Sequence, residues 1–530
     1  MERFRALFLA LDATRKTSER LQALQAYFAE AAPEDAAWAV YLLLGEKLRR
    51  LVKPALLRVW VAEAAGIPLW LLEAAYAETG DLAETLARLW PDDGPGITLP
   101  LQKLIEETLL PIRSLPEEAQ RAVLEKLWRQ GTVVDRLLLN KLITGGFRMG
   151  VARGLTARAL AEVAGLEPAL IEQRLMGGWH PDAAAYHALL RREEGANDLH
   201  RPYPFFLASP LEAKPESLGP ASAWQAEWKW DGIRAQLLRR GDTVMIWSRG
   251  EEVVTDSFPE IARGAQDLPA DTVLDGELLA WKDGHPLPFG ELQRRILRKN
   301  PSQKLQAEIP VIFMVYDCLE VHGVDLREMP LYSRLGQAVP MFGTEETPSF
   351  RVSEPLPFED WSSLKTLRGL ARERGVEGIM LKRIDSPYRN GRKRGDWWKW
   401  KMDPYVLDAV MVYAQAGHGR RAGLYTDYTF ALREGDGFVP FAKAYSGLSD
   451  AEMKEVDQFI RAHTLEKHGP VRVVAPLLVC EVAFEGVQRS NRHKCGIAVR
   501  FPRVSRLRKD KAPGEADTLE ALRQLLPAGI

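Results

Sequence analysis

Five prolines between Arg201 and Pro220 (Pro202, Pro204, Pro210, Pro215 and Pro220) divide this chain into two kinds of sequence. A proline fixes its own φ, lacks an amide hydrogen and biases the residue before it away from helix, so the stretch reads as an extended connector. Before it, apolar residues fall at helical spacing: Phe4, Leu7, Phe8 and Leu11, then Leu21, Leu24 and Phe28. Pro54, Pro68, Pro91 and Pro111 break that region into short helices, and the pattern predicts an all-helical array. After the connector, strand-like runs dominate. A second boundary falls near Asp403-Pro404, followed by strand candidates at 406–413, 425–432, 438–445, 471–484 and 497–507, with a helix pattern at 449–462. The expectation is a multidomain protein, with an all-α domain over 1–200, an α+β domain over 201–403 and a small β-barrel domain over 404–530.

Composition bounds the setting. A chain of 530 residues with 46% hydrophobic content can bury several cores, and its length suits about three domains. Cys318, Cys480 and Cys495 form no metal-ligand spacing, and so few cysteines suit a reducing compartment. Met1-Glu2-Arg3 leads straight into an amphipathic segment, and no apolar run reaches membrane-spanning length, so the expected location is the cytosol. The net charge of -1 means that any nucleic acid must be met by local patches. One patch runs from Arg492 to Lys511, with eight basic residues against the single acid Asp510. A charge run is usually a solvated face, but Ile497-Ala498-Val499 and Phe501 interrupt this one with strand formers, which favours a folded segment.

The chemistry-bearing residues come in blocks. Ala226-Glu227-Trp228-Lys229-Trp230 alternates like a strand and ends in the turn signal Asp231-Gly232, which places Lys229 at a strand end. Val244 to Trp247 leads into Ser248-Arg249-Gly250, with a guanidinium at another strand end. Val273 to Leu278 is an apolar strand that carries Asp275 and Glu277, a costly burial unless the acids are paired or hold a metal. Val311 to Leu319 reads as a buried strand with Tyr316-Asp317 near its end. Val376 to Lys382 presents Glu377 and Lys382, and Trp397-Trp398-Lys399-Trp400-Lys401 puts two lysines on one face of a strand. Taken singly, each block has a bland reading as a turn, a capped acid or a solvated strand face. Their joint order reverses those odds.

That order resembles the ATP-dependent DNA ligases of the covalent nucleotidyltransferase superfamily, over nearly the whole chain. The matching blocks are Lys229-x-Asp231-Gly232, Ser248-Arg249-Gly250 in compressed form, Asp275-Gly276-Glu277, Tyr316-Asp317, Glu377-Gly378 with Lys382, Lys399-x-Lys401, and Arg500-Phe501-Pro502-Arg503 through Asp510-Lys511. The resemblance is greatest to the bacterial branch linked to DNA repair, which has a helical DNA-binding domain ahead of an adenylation domain and an OB-fold. It implies that ATP adenylylates Lys229, that Glu227 reads the adenine amino group, and that Arg234 and Arg249 contact ribose and phosphate. Tyr316 would stack on adenine where the family commonly has phenylalanine. Glu277 and Glu377 would hold Mg2+ or Mn2+, and Lys399 and Lys401 the α-phosphate. The family has an arginine shortly before the lysine pair; Arg389, Arg392 and Arg394 compete for it, and Arg394 is preferred. In the last block Arg503, Arg506, Arg508 and Lys511 would orient pyrophosphate and later grip DNA. Gly145 to Val151 looks like the N-terminal domain's DNA-binding turn, where Arg148 and Arg153 would hold phosphates.

The residue types suit this chemistry. A lysine attacks only when neutral, which partial burial and neighbouring cations favour, and cations also neutralise charge developing on phosphate oxygens. No Gly-x-x-x-x-Gly-Lys-Ser/Thr loop offers another nucleotide site. NAD-dependent ligases share the lysine block but carry cysteine zinc ligands and a nicotinamide-binding module, both missing from this sequence. RNA ligases and RNA-capping guanylyltransferases share the lysine and the domain pair; the helical N-terminal region argues for duplex DNA. A non-catalytic nick-binding scaffold stays open as a rival, although every candidate catalytic position is filled. The expected partner is nicked double-stranded DNA, met by a monomer in the bacterial cytosol at the nucleoid.

Overall fold

The computed structural model describes residues 1–147, 149–192, 199–296, 298–342, 349–417 and 424–526. Its chain divides into two units, one of residues 6–46 with 148–402 and one of residues 1–5 with 47–147 and 403–530. Among the described residues no single helix is long and apolar enough to cross a membrane.

The N-terminal region is helical, and its prolines act mainly as starts. Pro33 and Pro54 open the helices Pro33–Leu43 and Pro54–Ala64, and Pro68 immediately precedes Leu69–Thr79. A first-turn proline sacrifices no intrahelical hydrogen bond and has its φ already set. Pro111 departs from the expectation that it breaks the run. It sits inside a continuous helical stretch, Leu101–Lys103, Leu104–Leu109 and Leu110–Ile112, whose middle part is a π-helix. The wider turn accommodates a residue without an amide hydrogen, so the helix bulges instead of ending.

The central region folds as two β-sheets. The larger is seven-stranded. Its main strands are β3 (Ile233–Arg240), β4 (Thr243–Ser248), β5 (Thr272–Lys282), β6 (Val311–Val321) and β7 (Phe350–Val352), in the order β7-β6-β5-β3-β4. The smaller holds β1 (Ser209–Pro210), β2 (Trp224–Lys229), β8 (Gly378–Arg383) and β9 (Trp397–Lys401), in the order β1-β9-β8-β2. Phe206, Leu238, Trp247, Val273, Leu319, Tyr388 and Trp397 form one buried cluster that joins the two sheets. A separate core under the larger sheet contains Phe313, Val315 and Cys318.

Within the larger sheet, Asp275 and Asp317 lie directly opposite one another, and both are fully buried. Two facing carboxylates would repel, so each has its own arginine. Arg234 grips Asp275 at 3.2 and 2.6 Å, and Arg334 grips Asp317 at 2.7 and 2.8 Å. One residue from Asp317, Tyr316 falls where the β5–β6 register slips between Asp275 and Gly276. A bulge of this kind turns a side chain out of the regular alternation.

The C-terminal region is a curled antiparallel sheet of OB type. Its seven strands are β10 (Tyr405–Ala416), β11 (Tyr425–Glu434), β12 (Gly437–Ala444), β13 (Thr464–His468), β14 (Val471–Val474), β15 (Val479–Phe484) and β18 (Arg503–Leu507), while β16 (Gly486–Arg489) and β17 (Ile497–Arg500) pair as a separate two-stranded sheet. The long strand β10 pairs β15 along Tyr405–Val410 and β14 along Tyr413–Gln415, with a register slip between. The helix Asp450–Ala462 opens with a Ser449/Glu452 capping box. Two expected strands are each split. Pro476 interrupts 471–484, and Phe501-Pro502, with Phe501 at φ 52°, interrupts 497–507.

Removing Arg334 would leave Asp317 buried and unpaired. Arg334→Met should lower the free energy of urea unfolding of the full chain by about 3–5 kcal/mol; a loss below about 1 kcal/mol would mean that the pair behaves like an exposed one.

Candidate active site

Strand alternation assembles the site. Gln225, Glu227 and Lys229 lie on one face of β2. In register, Lys229 and Lys401 flank Gly378, and Glu227 and Lys399 flank Met380. Gly378 is required there: its φ is 144°, and a Cβ would lie 2.4 Å from the carbonyl oxygen of Trp400. The preceding residue, Glu377, accepts from Lys229 Nζ at 2.6 Å and sits 3.3 Å from Lys401 Nζ. Lys229 is partly exposed, so it is held by an acid yet open to a substrate. Gly232 packs against the larger sheet, where a Cβ would meet the carbonyl oxygen of Leu278 at 2.3 Å and Glu277 Cγ at 2.8 Å. The lysine turn is thereby pressed onto the strand that carries Glu277.

Burial pushes the Glu277 carboxyl up to about 7, against the opposing pull of Lys229 and Arg234 and with a further push from Asp275 and Glu377. Its nearest hydroxyl is Tyr316 Oη at 3.5 Å. Lys399 is lowered, first by burial and then by the charges of Lys401, Arg392 and Lys229. Arg392 is thus one of the cations whose charge acts on Lys399. Arg394 lies over the Trp398 ring at 5.4 Å, and Arg389 pairs with Asp396 at 2.6 Å.

Glu227 and Lys382 are both buried and pair at 3.0 Å. Lys382 also donates to the Tyr316 carbonyl at 2.9 Å, and its ammonium lies 4.6 Å from the centre of the Tyr316 ring and 4.8 Å from that of Trp397. Gln225 donates to Glu227 at 2.7 Å. Burial raises the Glu227 carboxyl, and Lys382 opposes that shift.

Arg234 is held by acceptors of the protein itself. It donates to Asp275, to the Phe206 carbonyl at 2.6 Å and to Tyr388 Oη at 3.3 Å, while Tyr388 donates to Asp275 at 2.6 Å. With its fork directed at protein acceptors, Arg234 braces the wall behind Tyr316. Arg249 lines a cleft of about 660 Å³ together with Arg153, Trp179, Trp247 and Glu251. In that cleft Arg153 pairs with Glu251 and donates to the Leu175 carbonyl at 2.5 Å. Arg148 lies outside the described residues.

In the C-terminal region Arg508 takes Asp408 at 3.0 and 2.8 Å and Asp510 at 2.7 Å, and Lys511 reaches Asp408 at 2.5 Å. Arg506 pairs with Glu481 at 3.0 Å, and Arg503 lies 3.7 Å from Glu485. These cations are thus matched by carboxylates of their own domain.

Sequence reasoning assigned no role to Gln225, Asp408 or Tyr388. Gln225 was accessible from the alternation that placed Glu227. Tyr388 comes from a loop that no local pattern links to Asp275, more than a hundred residues earlier.

Two carboxylates beside cations suit a divalent ion held by one or two acids together with substrate phosphates. Glu377 pairs with Lys229, and the charges of Lys229 and Glu377 both act on Glu277. Among the described residues no group of three or more candidate ligands occurs.

Comparison with known proteins agrees over the length of the chain. Residues 206–401 match the family model "ATP dependent DNA ligase domain", residues 1–161 "DNA ligase N terminus" and residues 421–511 "ATP dependent DNA ligase C terminal region". A "Probable DNA ligase" of Koribacter versatilis is 34% identical over 97% of this chain and 95% of its own length. A second, from Opitutus terrae, is also 34% identical over 99% of this chain, which spans 62% of that longer protein. "DNA ligase 1" of Korarchaeum cryptofilum is 32% identical over 73% of this chain and 71% of its own. Among solved structures, "Pmar-Lig_Pre." aligns with a TM-score of 0.63 at 15% identity, over 95% of this chain and 99% of that one, a likeness of fold.

The raised Glu277 carboxyl sets a pH dependence. Its folded value of about 7 lies above the ordinary 4.5, so ionising it opposes folding; the destabilisation is nil below that lower value, grows through the interval and is complete above about 7. Glu277→Gln should therefore melt at a higher temperature than wild type at pH 8, without metal or nucleotide, with the gap closing as pH falls toward 5. An equal gap at both pH values would mean that Glu277 is not carrying buried charge.

Proposed function

The chain belongs to the ATP-dependent DNA ligases, and on that premise we propose that Lys229 is the residue adenylylated and that nicked duplex DNA then receives the AMP. The observation that carries this reading is the position of Lys229 at the end of β2, 2.6 Å from Glu377 and in register beside Lys401.

Lys229 must lose one proton before it can attack, and the nearest acceptor is Glu377. The freed lone pair forms an N–P bond at the α-phosphorus as the bond to the leaving pyrophosphate breaks, with Lys399 and Lys401 neutralising the α-phosphate oxygens. Glu277 and Glu377 would hold Mg2+ or Mn2+, which supplies Lewis-acid stabilisation of the phosphate charge when bound. The same cations serve the next two steps. The AMP passes from Lys229 to the 5′-phosphate at a nick, and the neighbouring 3′-hydroxyl displaces it to form the phosphodiester.

The buried Glu227–Lys382 pair suits adenine, with Glu227 accepting from the 6-amino group and Lys382 donating to the ring nitrogen beside it. A 6-oxo group in the same place would face the carboxylate acceptor to acceptor. Tyr316 would supply the stacking ring, Arg234 its support, and Arg249 the contact to ribose or phosphate. Arg392 takes the place proposed above for Arg394, because its charge acts on Lys399. Arg148 and Arg153 would meet DNA phosphates; Arg503, Arg506, Arg508 and Lys511 would meet pyrophosphate and then DNA. The three matched segments support domains at 1–200, 201–403 and 404–530. The protein would act as a monomer in the bacterial cytosol at the nucleoid, in DNA repair or recombination.

Two measurements test this. With α-labelled ATP and Mg2+, wild type should carry label through denaturing electrophoresis and Lys229→Ala should carry none; label on both would remove Lys229 from the mechanism, and label from NAD alone would overturn ATP as donor. Lys382→Met should raise the KM for ATP in that reaction by about ten- to a hundredfold with a smaller change in kcat. An unchanged KM would show that the pair does not read the base.

A further inference from the structure

We propose that the loop 47–53 is a second phosphate-binding surface for duplex DNA, built from Arg49, Arg50 and Lys53 and separate from the Arg148 turn; the inference rests on the DNA ligase reading above. From Lys47 to Ala62 the chain has five basic residues and no acidic one, in a protein whose net charge is -1. Arg58 pairs with Glu73, but Arg49, Arg50 and Lys53 are exposed and have no ion-pair partner among the described residues.

A charge run is ordinarily a solvated face, and what sets this one apart is its backbone. The segment has no regular secondary structure before Pro54, yet it is pinned on both sides of the cations. Leu48, Leu51 and Val52 are buried between them. The Leu51 amide donates to the Ile143 carbonyl at 3.1 Å, at the end of the helix Val133–Thr144. Gly145, at φ 69°, comes so close that a Cβ there would lie 3.2 Å from the Leu48 carbonyl oxygen. The alternation of buried leucine or valine with exposed arginine or lysine therefore displays the cations on a fixed track, already desolvated on its inner side. Lys53 directly precedes the eleven-residue helix Pro54–Ala64, whose first amides add positive potential at the same end. Gly145, which the track touches, is the first residue of the glycine-rich segment through which the N-terminal region is proposed to meet DNA.

The ligand this fits is a row of phosphodiesters. Three unpaired cations on a rigid segment match a repeating anion, and the surface offers little with which to read base edges. Binding here should depend on salt and not on sequence.

The test is fluorescence anisotropy of the full chain on a nicked duplex and on the same duplex intact, over roughly 50–300 mM salt. R49A/R50A/K53A should bind both about ten- to a hundredfold more weakly, with the slope of log affinity against log salt reduced by about 2–3, while R49K/R50K/K53R keeps both affinity and slope. The proposal is overturned if the alanine variant matches wild type in affinity and slope, or if the charge-conserving variant fails equally, which would make the loss structural. Failure of wild type itself to bind nicked duplex would strike the underlying reading instead.

Discussion

Charge that leaves water must find a partner, and the central region is arranged around that requirement. Asp275 has Arg234, Asp317 has Arg334, and Glu227 has Lys382, each in geometry that satisfies more than one oxygen or proton. Glu377 is shared by Lys229 and Lys401. Glu277 is the exception: its neighbours are a phenol and other acids as well as cations, and its carboxyl is driven up accordingly. Among these acids Glu277 is the one least satisfied by its own neighbours, which is why it is the acid proposed to gain most from a bound cation.

The C-terminal cations obey the same rule by different means. Arg508 and Lys511 both end on Asp408, a residue of β10, with Asp510 as an additional partner. In this state the segment proposed to meet pyrophosphate is electrically satisfied at home. If those groups are to engage a triphosphate as proposed, it would have to compete with Asp408, so the encounter would be an exchange of partners, weaker than one with free cations.

Much of this was legible in the sequence because strands report themselves by alternation. Lys229, Glu227, Glu277, Glu377, Lys399 and Lys401 all stand at or beside strand positions that a period of two predicts, and the OB-type region announced itself through its turn residues, whereas the proline-rich stretch expected as a connector contributes β1 and the 3-10 helix Pro215–Leu218. What escaped depends on the third dimension. Arg389, Arg392 and Arg394 lie within a few residues of one another, where no periodicity tells which charge acts on Lys399 and which side chain lies over Trp398. The hydrogen bonds of Arg234 to the Phe206 carbonyl and Tyr388 could not be read locally, because these acceptors come from opposite ends of the region. Pro111 misled because a π-turn satisfies a proline that an α-turn would not.

The bulge at Tyr316 has a consequence for how β6 tolerates its neighbours. Phe313, Val315 and Cys318 share one core although 315 and 318 are separated by an odd number of residues, which a regular strand would send to opposite faces. The extra residue absorbs that mismatch, so the halves of the strand keep their own frames on either side of it. The ring proposed to face the nucleotide is therefore carried by the extra residue of a bulge in the strand. Its chemistry, tyrosine here, is chosen without reference to the core packing that fixes nearly every other residue of the strand.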